Sequence, residues 1–117
     1  MISFTIPGRP QPQERPFVLK AGWTMDRPAS KRAKNMVYTL GLNARQIARA
    51  SVSDANFAVR MVFYNAHKSA DIDNLSKLVL DGLKGVFWKD DKQVYRLTVD
   101  KVHDSDFGRT YVEIQEL

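Results

Sequence analysis

Two groups of carboxylates in this chain are spaced so that they could act together. The stretch SADIDNLSK holds Asp71, Asp73 and Lys77, and the pair Asp90 and Asp91 follows one amphipathic segment later. Carboxylates that converge repel one another, and gathering them is unfavourable unless a cation is present. Mg²⁺ prefers oxygen ligands of this kind, and such ions promote phosphodiester hydrolysis. The residue types therefore suggest a metal-dependent nuclease site.

The spacing in this stretch can place Asp71, Asp73 and Lys77 on one side of the chain. In extended chain, residues two apart point to one side and lie roughly 6–7 Å from each other, so Asp71 and Asp73 can aim at one point. A helix that begins at Asp73 puts Lys77 one turn further along the same face, where an ammonium can offset negative charge at phosphorus. We expect an adjacent strand to bring Asp90 and Asp91 beside this pair.

Each of these residues also has a structural interpretation. Asp73 can serve only as a helix cap, Asp90 and Asp91 are typical of polar turns, and Lys77 can pair with Asp73 on a helix surface. Asp81, two turns beyond Asp73, fits an ordinary helix surface. A D-x-D pair alone is a weak signal, because nucleotide-sugar transferases use one too. The combination is far more specific than its parts.

Hydrophobic periodicity predicts the elements that position these groups. Alternation indicates strands at 2–6, 56–64, 93–102 and 109–115, and three- and four-residue spacing indicates helices from about Ser30 and over 73–84. Asp73 is the expected cap of the second helix, and Gly85 its stop. Residues 7–28 contain all five prolines and predict a long loop. The order predicts a single α+β domain over 1–117, with a mixed sheet and two main helices.

Charge divides the chain in two. Residues 1–50 carry nine Lys/Arg against two Asp/Glu, whereas residues 51–117 carry nine against eleven. The chain's net charge of +5 therefore comes from its first half. Lys and Arg neutralise phosphates and release their counterions, so this asymmetry favours a nucleic-acid partner.

Composition excludes several other site types. With no cysteine, disulfides, thiolate zinc sites and cysteine nucleophiles are excluded, and two histidines are too few for a His-rich metal site. No apolar run approaches a membrane span, so we expect no membrane association. The start MISFTIPGRP lacks the pattern of a signal peptide, which leads us to expect a cytoplasmic protein.

The stretch ADIDNLSKLVLDGLKGVFWKDDKQVYRLTVDKV resembles the RusA family of Holliday-junction resolvases. Its DIDNLSK, LDGLKG and WKDDKQV elements occur in the family's order. The proline-rich IPGRPQPQERP also looks like the start of this family, which extends the resemblance over nearly the whole chain. The resemblance implies an α+β homodimer that resolves four-way DNA junctions with Mg²⁺, or Mn²⁺ in its place.

Residue roles follow from the resemblance by position. It implies that Asp71, Asp73 and Asp91 bind the metal and that Lys77 is the essential lysine. Asp90 and Asn74 then have supporting roles, and Gly85 and Trp88 look structural. The expected phosphate contacts are Arg9, Arg15, Lys31, Arg32 and Lys68.

This sequence departs from the family pattern in two places. The run HKSA before the first aspartate is a weaker basic run than in some relatives, and Gln11, Gln13 and Glu14 stand where related loops are often more basic. These changes bear on junction preference more than on chemistry. Two alternatives stay open, namely a branched-DNA-binding protein without catalytic activity and a D-x-D transferase, although no glycine-rich phosphate loop is present.

Overall fold

The computed structural model describes residues 1–117 as a four-stranded sheet covered on one face by two helices. The strands are β1 (Ile2–Pro7), β2 (Phe17–Val18), β3 (Thr24–Met25), β4 (Phe57–Tyr64), β5 (Val94–Val102) and β6 (Arg109–Glu116), and the helices are α1 (Pro28–Ile47) and α2 (Ile72–Leu83). A short 3₁₀ turn, Asp91–Gln93, precedes β5. The predicted α+β class is confirmed.

The main sheet is mixed and has the strand order β1-β6-β4-β5. β6 pairs antiparallel with both β1 and β4, whereas β4 and β5 run parallel, with Phe57 opposite Val94 and Tyr64 opposite Val102. A parallel neighbour requires the chain to cross back over the sheet, and α2 makes that crossover. β5 therefore has a free edge, while β6 lies inside the sheet.

Alternation along the central strands decides which face is buried. In β4, Val59, Met61 and Phe63 point into the core, and Arg60 between them is exposed. Val112 of β6 joins the same core and is fully buried. The opposite face of the sheet carries polar groups such as the Arg60–Glu113 ion pair at 2.8 Å.

Two glycines let the helices approach each other closely. A Cβ on Gly82 of α2 would lie 2.8 Å from Val37 Cβ, and one on Gly41 of α1 would lie 2.6 Å from Leu83 Cδ2. Both distances are shorter than real Cβ contacts. The position of α2, and of the residues at its N-terminus, thus depends on the absence of a side chain at Gly41 and Gly82.

Helix boundaries differ slightly from the predicted ones. α1 begins at Pro28, two residues earlier than predicted. Proline is tolerated in the first turn because the amide hydrogen that it lacks would have no partner there. α2 begins at Ile72, so Asp71 occupies the cap position and the prediction that Asp73 caps this helix was wrong. Neither helix has a side-chain cap hydrogen bond. Gly85 ends α2 as predicted, with a φ of +86°.

The loop predicted over 7–28 contains a small hairpin, which the sequence analysis missed. β2 and β3 pair antiparallel, and Leu19 N donates to Trp23 O at 2.8 Å across their turn. Gly22 adopts a φ of +81° there, a conformation that glycine tolerates best. The paired strands are only two residues each, too short for any periodic signal.

We expect Gly82→Ala to destabilise the fold by about 1–3 kcal/mol, because the added methyl group meets Val37 and the Lys34 carbonyl oxygen. The gain in helix propensity from alanine, about 1 kcal/mol, offsets only part of that cost. Urea denaturation measures the change. Asn43→Ala, at an exposed position of α1, is the control and should change stability little. An increase in the free energy of unfolding for Gly82→Ala would contradict the packing described here.

Candidate active site

The N-terminus of α2 presents two carboxylates to solvent. Asp71 holds the cap position and Asp73 lies in the first turn, and both side chains are exposed. The residue before them is anchored, since Ala70 is buried and its carbonyl oxygen accepts a 2.7 Å hydrogen bond from Lys101 Nζ. The positive end of the helix dipole favours negative charge here. Because no backbone amide uses these carboxylates, they are free to bind a cation.

Lys77 and Asn74 line a polar pocket beside this helix end. No hydrophobic residue contributes to it, and the other residues that line it are Gln13, Glu14, Arg15, Pro16, Asp26, Lys34 and Asp81. Lys77 is exposed and forms no salt bridge, so its pairing with Asp73 on the helix surface is not seen. Its ammonium is thus available to an anion that enters the pocket.

The proline-rich loop closes one side of the polar pocket. Gln13 N donates to Asn74 O at 2.8 Å, and Glu14 N donates to the buried Ser30 Oγ at 3.0 Å. These two bonds tie the loop to α2 and α1 together. The loop therefore fixes the first turn of α2 from outside, a role that its sequence did not reveal.

A lysine between two carboxylates forms the far wall of the pocket. Lys34 Nζ lies 2.8 Å from Asp26 Oδ2 and 3.8 Å from Asp81 Oδ2. The hydrogen bond from Lys34, more than any other contact, holds the pKa of Asp26 below its ordinary value. Asp81 is therefore part of an ion-pair network rather than plain helix surface. Sequence analysis missed Asp26 and Lys34 because no local motif connects them to α2.

The second acidic pair is built into a tight turn. Asp90 caps the 3₁₀ turn and accepts a 3.0 Å hydrogen bond from Lys92 N, which holds its pKa below the ordinary value. Asp91 Oδ1 accepts a 3.1 Å hydrogen bond from the indole Nε1 of Trp88, which is fully buried. Asp90 thus has a structural role, and the core itself orients Asp91.

Gln93 holds this turn against the chain that precedes β4. Its Oε1 accepts from Lys89 N and Asp90 N, and its Nε2 donates to Ser53 O and Ala55 O at 2.8 Å. All four polar contacts of this buried amide go to backbone groups. The motif K-D-D-K-Q gave no direct signal for this role, because a glutamine in a turn is ordinarily solvated.

One chain does not bring the three proposed metal ligands together. Asp91 precedes β5 and so lies at the end of the sheet where β4 begins, while Asp71 follows the other end of β4. Eight strand residues span about 26 Å, and the 12-residue helix between these sites spans about 18 Å. No group of three His, Cys, Asp or Glu residues is placed to hold a metal ion. The expected convergence of these acids within one chain was wrong, because β5 runs parallel to β4.

The candidate phosphate contacts lie at several places on the surface. All five side chains belong to residues that are exposed, namely Arg9, Arg15, Lys31, Arg32 and Lys68. Arg15 lines the polar pocket, whereas Arg9 and Arg32 line a neighbouring cavity beneath the proline-rich loop. Lys68 stands in the turn just before Asp71. Of the five, only Arg15 lines the polar pocket itself, and Lys68 lies three residues before Asp71 in the chain.

The β2–β3 hairpin adds exposed apolar side chains to this region. Trp23 is 72% exposed and Val18 75%, and the guanidinium of Arg27 lies 4.3 Å from the centre of the Phe17 ring. The hairpin's two ends, at Arg15 and Asp26, reach the polar pocket. Aromatic and basic groups therefore stand together beside the candidate site.

A polar cluster fixes the loop between β5 and β6 to the same end of the sheet. Asn65, which follows β4 with a φ of +59°, donates to Asp104 Oδ1 at 2.8 Å, and Arg109 Nη2 donates to Asp104 Oδ2 at 2.8 Å. These bonds, that from Arg109 foremost, hold the pKa of Asp104 well below its usual range. These hydrogen bonds thus join the end of β4, the β5–β6 loop and the start of β6.

The family model for endodeoxyribonuclease RusA matches residues 7–115. The chain belongs to the RusA endodeoxyribonuclease family. Membership implies a hydrolase with Holliday-junction resolvase activity, whose substrate is branched DNA. Among individually curated proteins, none matches the chain. Neither helix is long and apolar enough to cross a membrane.

We expect Lys34→Met to raise the pKa of Asp26 towards its ordinary value, because the main hydrogen bond to that carboxylate is lost. An NMR titration of the carboxyl carbon measures this shift. A pKa depressed in the folded state stabilises the protein above the unfolded value of about 4, and that contribution disappears as pH falls through the folded value. Lys34→Met should therefore lose more stability at pH 7 than at pH 3.

The matched control for this titration is Lys20→Met, which removes an exposed lysine from the hairpin. It should leave the pKa of Asp26 unchanged. If both variants gave the wild-type titration, Lys34 would not be the group that sets the charge of Asp26.

Proposed function

We propose that this protein is a metal-dependent endonuclease that resolves four-way DNA junctions by paired, symmetric cuts. The observation that carries the proposal is the exposed carboxylate pair Asp71 and Asp73 at the N-terminus of α2, one turn from the unpaired Lys77, in a chain of the RusA family. Asp91, oriented by Trp88, is the third proposed acid.

The donor set fits a hard divalent cation such as Mg²⁺, with Mn²⁺ as its substitute. Asp71 and Asp73 offer only oxygen atoms, are solvated, and are unused by the helix cap. When bound, such an ion neutralises charge on the phosphate and makes a water molecule more acidic. A single chain supplies only two of the three proposed acids at this place.

The chain's own groups suit phosphodiester hydrolysis. Water attacks phosphorus, the bond from phosphorus to the 3′ oxygen breaks, and the products carry a 5′-phosphate and a 3′-hydroxyl. The free ammonium of Lys77 would stabilise negative charge on the phosphate oxygens or the departing oxygen. Asn74, whose carbonyl oxygen binds Gln13 N, supports the turn of helix that carries these groups.

Exposed basic side chains would hold the DNA backbone. Arg9, Arg15, Lys31, Arg32 and Lys68 are the proposed phosphate contacts. Such contacts fix the register of a nucleic acid without reading its sequence. A homodimer is part of the proposal, because two equivalent sites related by a two-fold axis can cut opposed strands of a four-way junction. Action on cellular or phage DNA places the proposed activity in the cytoplasm.

Cleavage of a synthetic mobile four-way junction, compared with linear duplex, tests the proposal. We expect paired nicks with Mg²⁺ and none with EDTA. Asp73→Asn should lower the cleavage rate by about 100-fold or more, since a lost metal ligand removes several kcal/mol of transition-state stabilisation. Asp54→Asn is the matched control, because Asp54 is an exposed carboxylate paired only with Lys89, and it should cut normally.

Two outcomes would contradict this function. Tight junction binding without cleavage under any divalent ion would leave a branched-DNA-binding protein in its place. Cleavage that persists at the wild-type rate in Asp73→Asn would remove the carboxylates of α2 from the chemistry.

A further inference from the structure

One face of the β2–β3 hairpin carries four apolar side chains that the rest of the chain leaves exposed. Phe17 pairs with Met25. Leu19 N donates to Trp23 O at 2.8 Å, which continues the same antiparallel register towards the turn. Residues two apart in a strand share a face, and so do residues paired across two strands. The hairpin face, as we call it, consists of Phe17, Leu19, Trp23 and Met25, all of them exposed.

No second layer of structure covers this hairpin. β2 and β3 form a sheet of their own, separate from the four-stranded sheet, and none of their four residues is buried. A two-stranded hairpin alone is at best marginally stable in water. Contiguous exposed apolar patches with a polar rim mark interaction sites. The hairpin face therefore indicates an external partner that covers it.

The charges around the hairpin face favour a polyanionic partner. Residues 15–27 contain three cations and one acid. The acid, Asp26, is already paired with Lys34 of α1 at 2.8 Å. None of the three cations forms a salt bridge within the chain, namely Arg15, Lys20 and Arg27. A second copy packed face to face would bring three more cations to the same place, whereas the phosphates of DNA would neutralise them.

The base of the hairpin is fixed at the rim of the polar pocket. Arg15 and Asp26, one at each end of the hairpin, line that pocket together with Lys77. Arg27 Nε donates to Arg15 O at 2.8 Å and so closes the base. Trp23 is three residues from Asp26, which keeps their Cα atoms within about 10 Å of each other. A DNA molecule with a phosphate beside Lys77 can therefore also reach the hairpin face.

Apolar rings determine which part of the DNA this face can contact. A linear duplex hides the flat faces of its stacked bases and presents mainly phosphates to a protein. Where strands branch or separate, base faces become accessible, and they stack on aromatic side chains with little regard to sequence. Trp23 is both the largest and the most exposed side chain of the hairpin face, so it is the best placed to stack on such a base.

We propose that the hairpin face binds unstacked bases at the branch point of the DNA substrate. Trp23 stacks on a base, and the three cations of the hairpin contact the flanking phosphates. This inference rests on the proposed function for its substrate, branched DNA. It assigns the preference for branched over linear DNA to the hairpin, and it involves neither a metal ion nor a cleavage step.

Filter binding in EDTA, with a four-way junction and with a linear duplex, measures what Trp23 contributes to affinity. We expect Trp23→Ala to weaken junction binding about 10-fold, as the loss of one base–aromatic stack does, and duplex binding less than about 2-fold. Because its side chain is exposed, the substitution should leave the fold intact. Trp23→Phe keeps a ring and should bind the junction within about 3-fold of the wild type.

The matched control is Ile47→Ala, which also removes an exposed apolar side chain. Ile47 is the last residue of α1, a helix of 20 residues and about 30 Å, whereas the hairpin precedes the first residue of that helix. Ile47→Ala should therefore bind the junction and the duplex as the wild type does.

Photochemical cross-linking locates the contact. 5-Iododeoxyuridine, which couples to aromatic side chains on irradiation, replaces one thymidine at the branch point or one in the middle of an arm. Mass spectrometry of the digested protein identifies the linked residue. We expect a link to Trp23 from the branch point and none from the arm.

Several results would overturn the inference. Equal losses of junction and duplex binding in Trp23→Ala, no loss in either, or a link to Trp23 from the arm alone would each do so. If Trp23→Ala leaves junction binding intact but abolishes binding to phosphatidylglycerol vesicles, the face serves a membrane surface instead. If it leaves junction binding intact but lowers the mass measured by light scattering, the face packs on a second copy of the chain.

These outcomes are separate from those of the nuclease test, because neither readout involves cleavage. If Trp23→Ala binds the junction as the wild type does and the wild type cuts it with Mg²⁺, the nuclease function stands and this inference fails. If Trp23 is linked to the branch point of a junction that the wild type never cuts, the inference stands and the proposed nuclease function fails.

Discussion

Parallel pairing of β4 with β5 governs where the chemically important groups of this chain lie. The chain leaves β4 at one end of the sheet and enters β5 at the other, so α2 must cross the whole sheet between them. Asp71 and Asp73 consequently mark one end of α2 and Asp91 the other. An antiparallel β5 would instead begin at the end of the sheet where β4 stops, on the side of Asp71 and Asp73.

Close contact between the helices keeps this crossover in place. Because Gly41 and Gly82 have no side chain, the backbone of each helix packs directly against side chains of the other. The proline-rich loop forms hydrogen bonds to both helices. The polar pocket beside Lys77 is the space that remains between these three segments. Lys34 of α1 lies between Asp26 of the loop and Asp81 of α2, so ion pairs connect the loop to both helices. The geometry of the α2 N-terminus thus depends on residues from three distant parts of the sequence.

The sequence predicted the local elements well and the long-range arrangement less well. Alternation located β4, because Val59, Met61 and Phe63 are buried on one face, and the 3.6-residue period located both helices. The direction of β5 relative to β4 has no local signal, so the meeting of Asp91 with Asp71 was wrongly expected within one chain. Contacts such as Gln13 with Asn74 also depend on tertiary packing, which periodicity does not encode.

The hydrogen bond from Trp88 to Asp91 has an optical consequence. The indole of Trp88 is fully buried between Phe57 and Phe87, with ring centres 5.5 and 6.3 Å away, yet its Nε1 contacts a carboxylate of the candidate site. The only other tryptophan, Trp23, is 72% exposed. A soluble quencher would suppress the emission of Trp23 first. The fluorescence that survives would come from Trp88, so the protein contains its own spectroscopic reporter of the turn that holds Asp91.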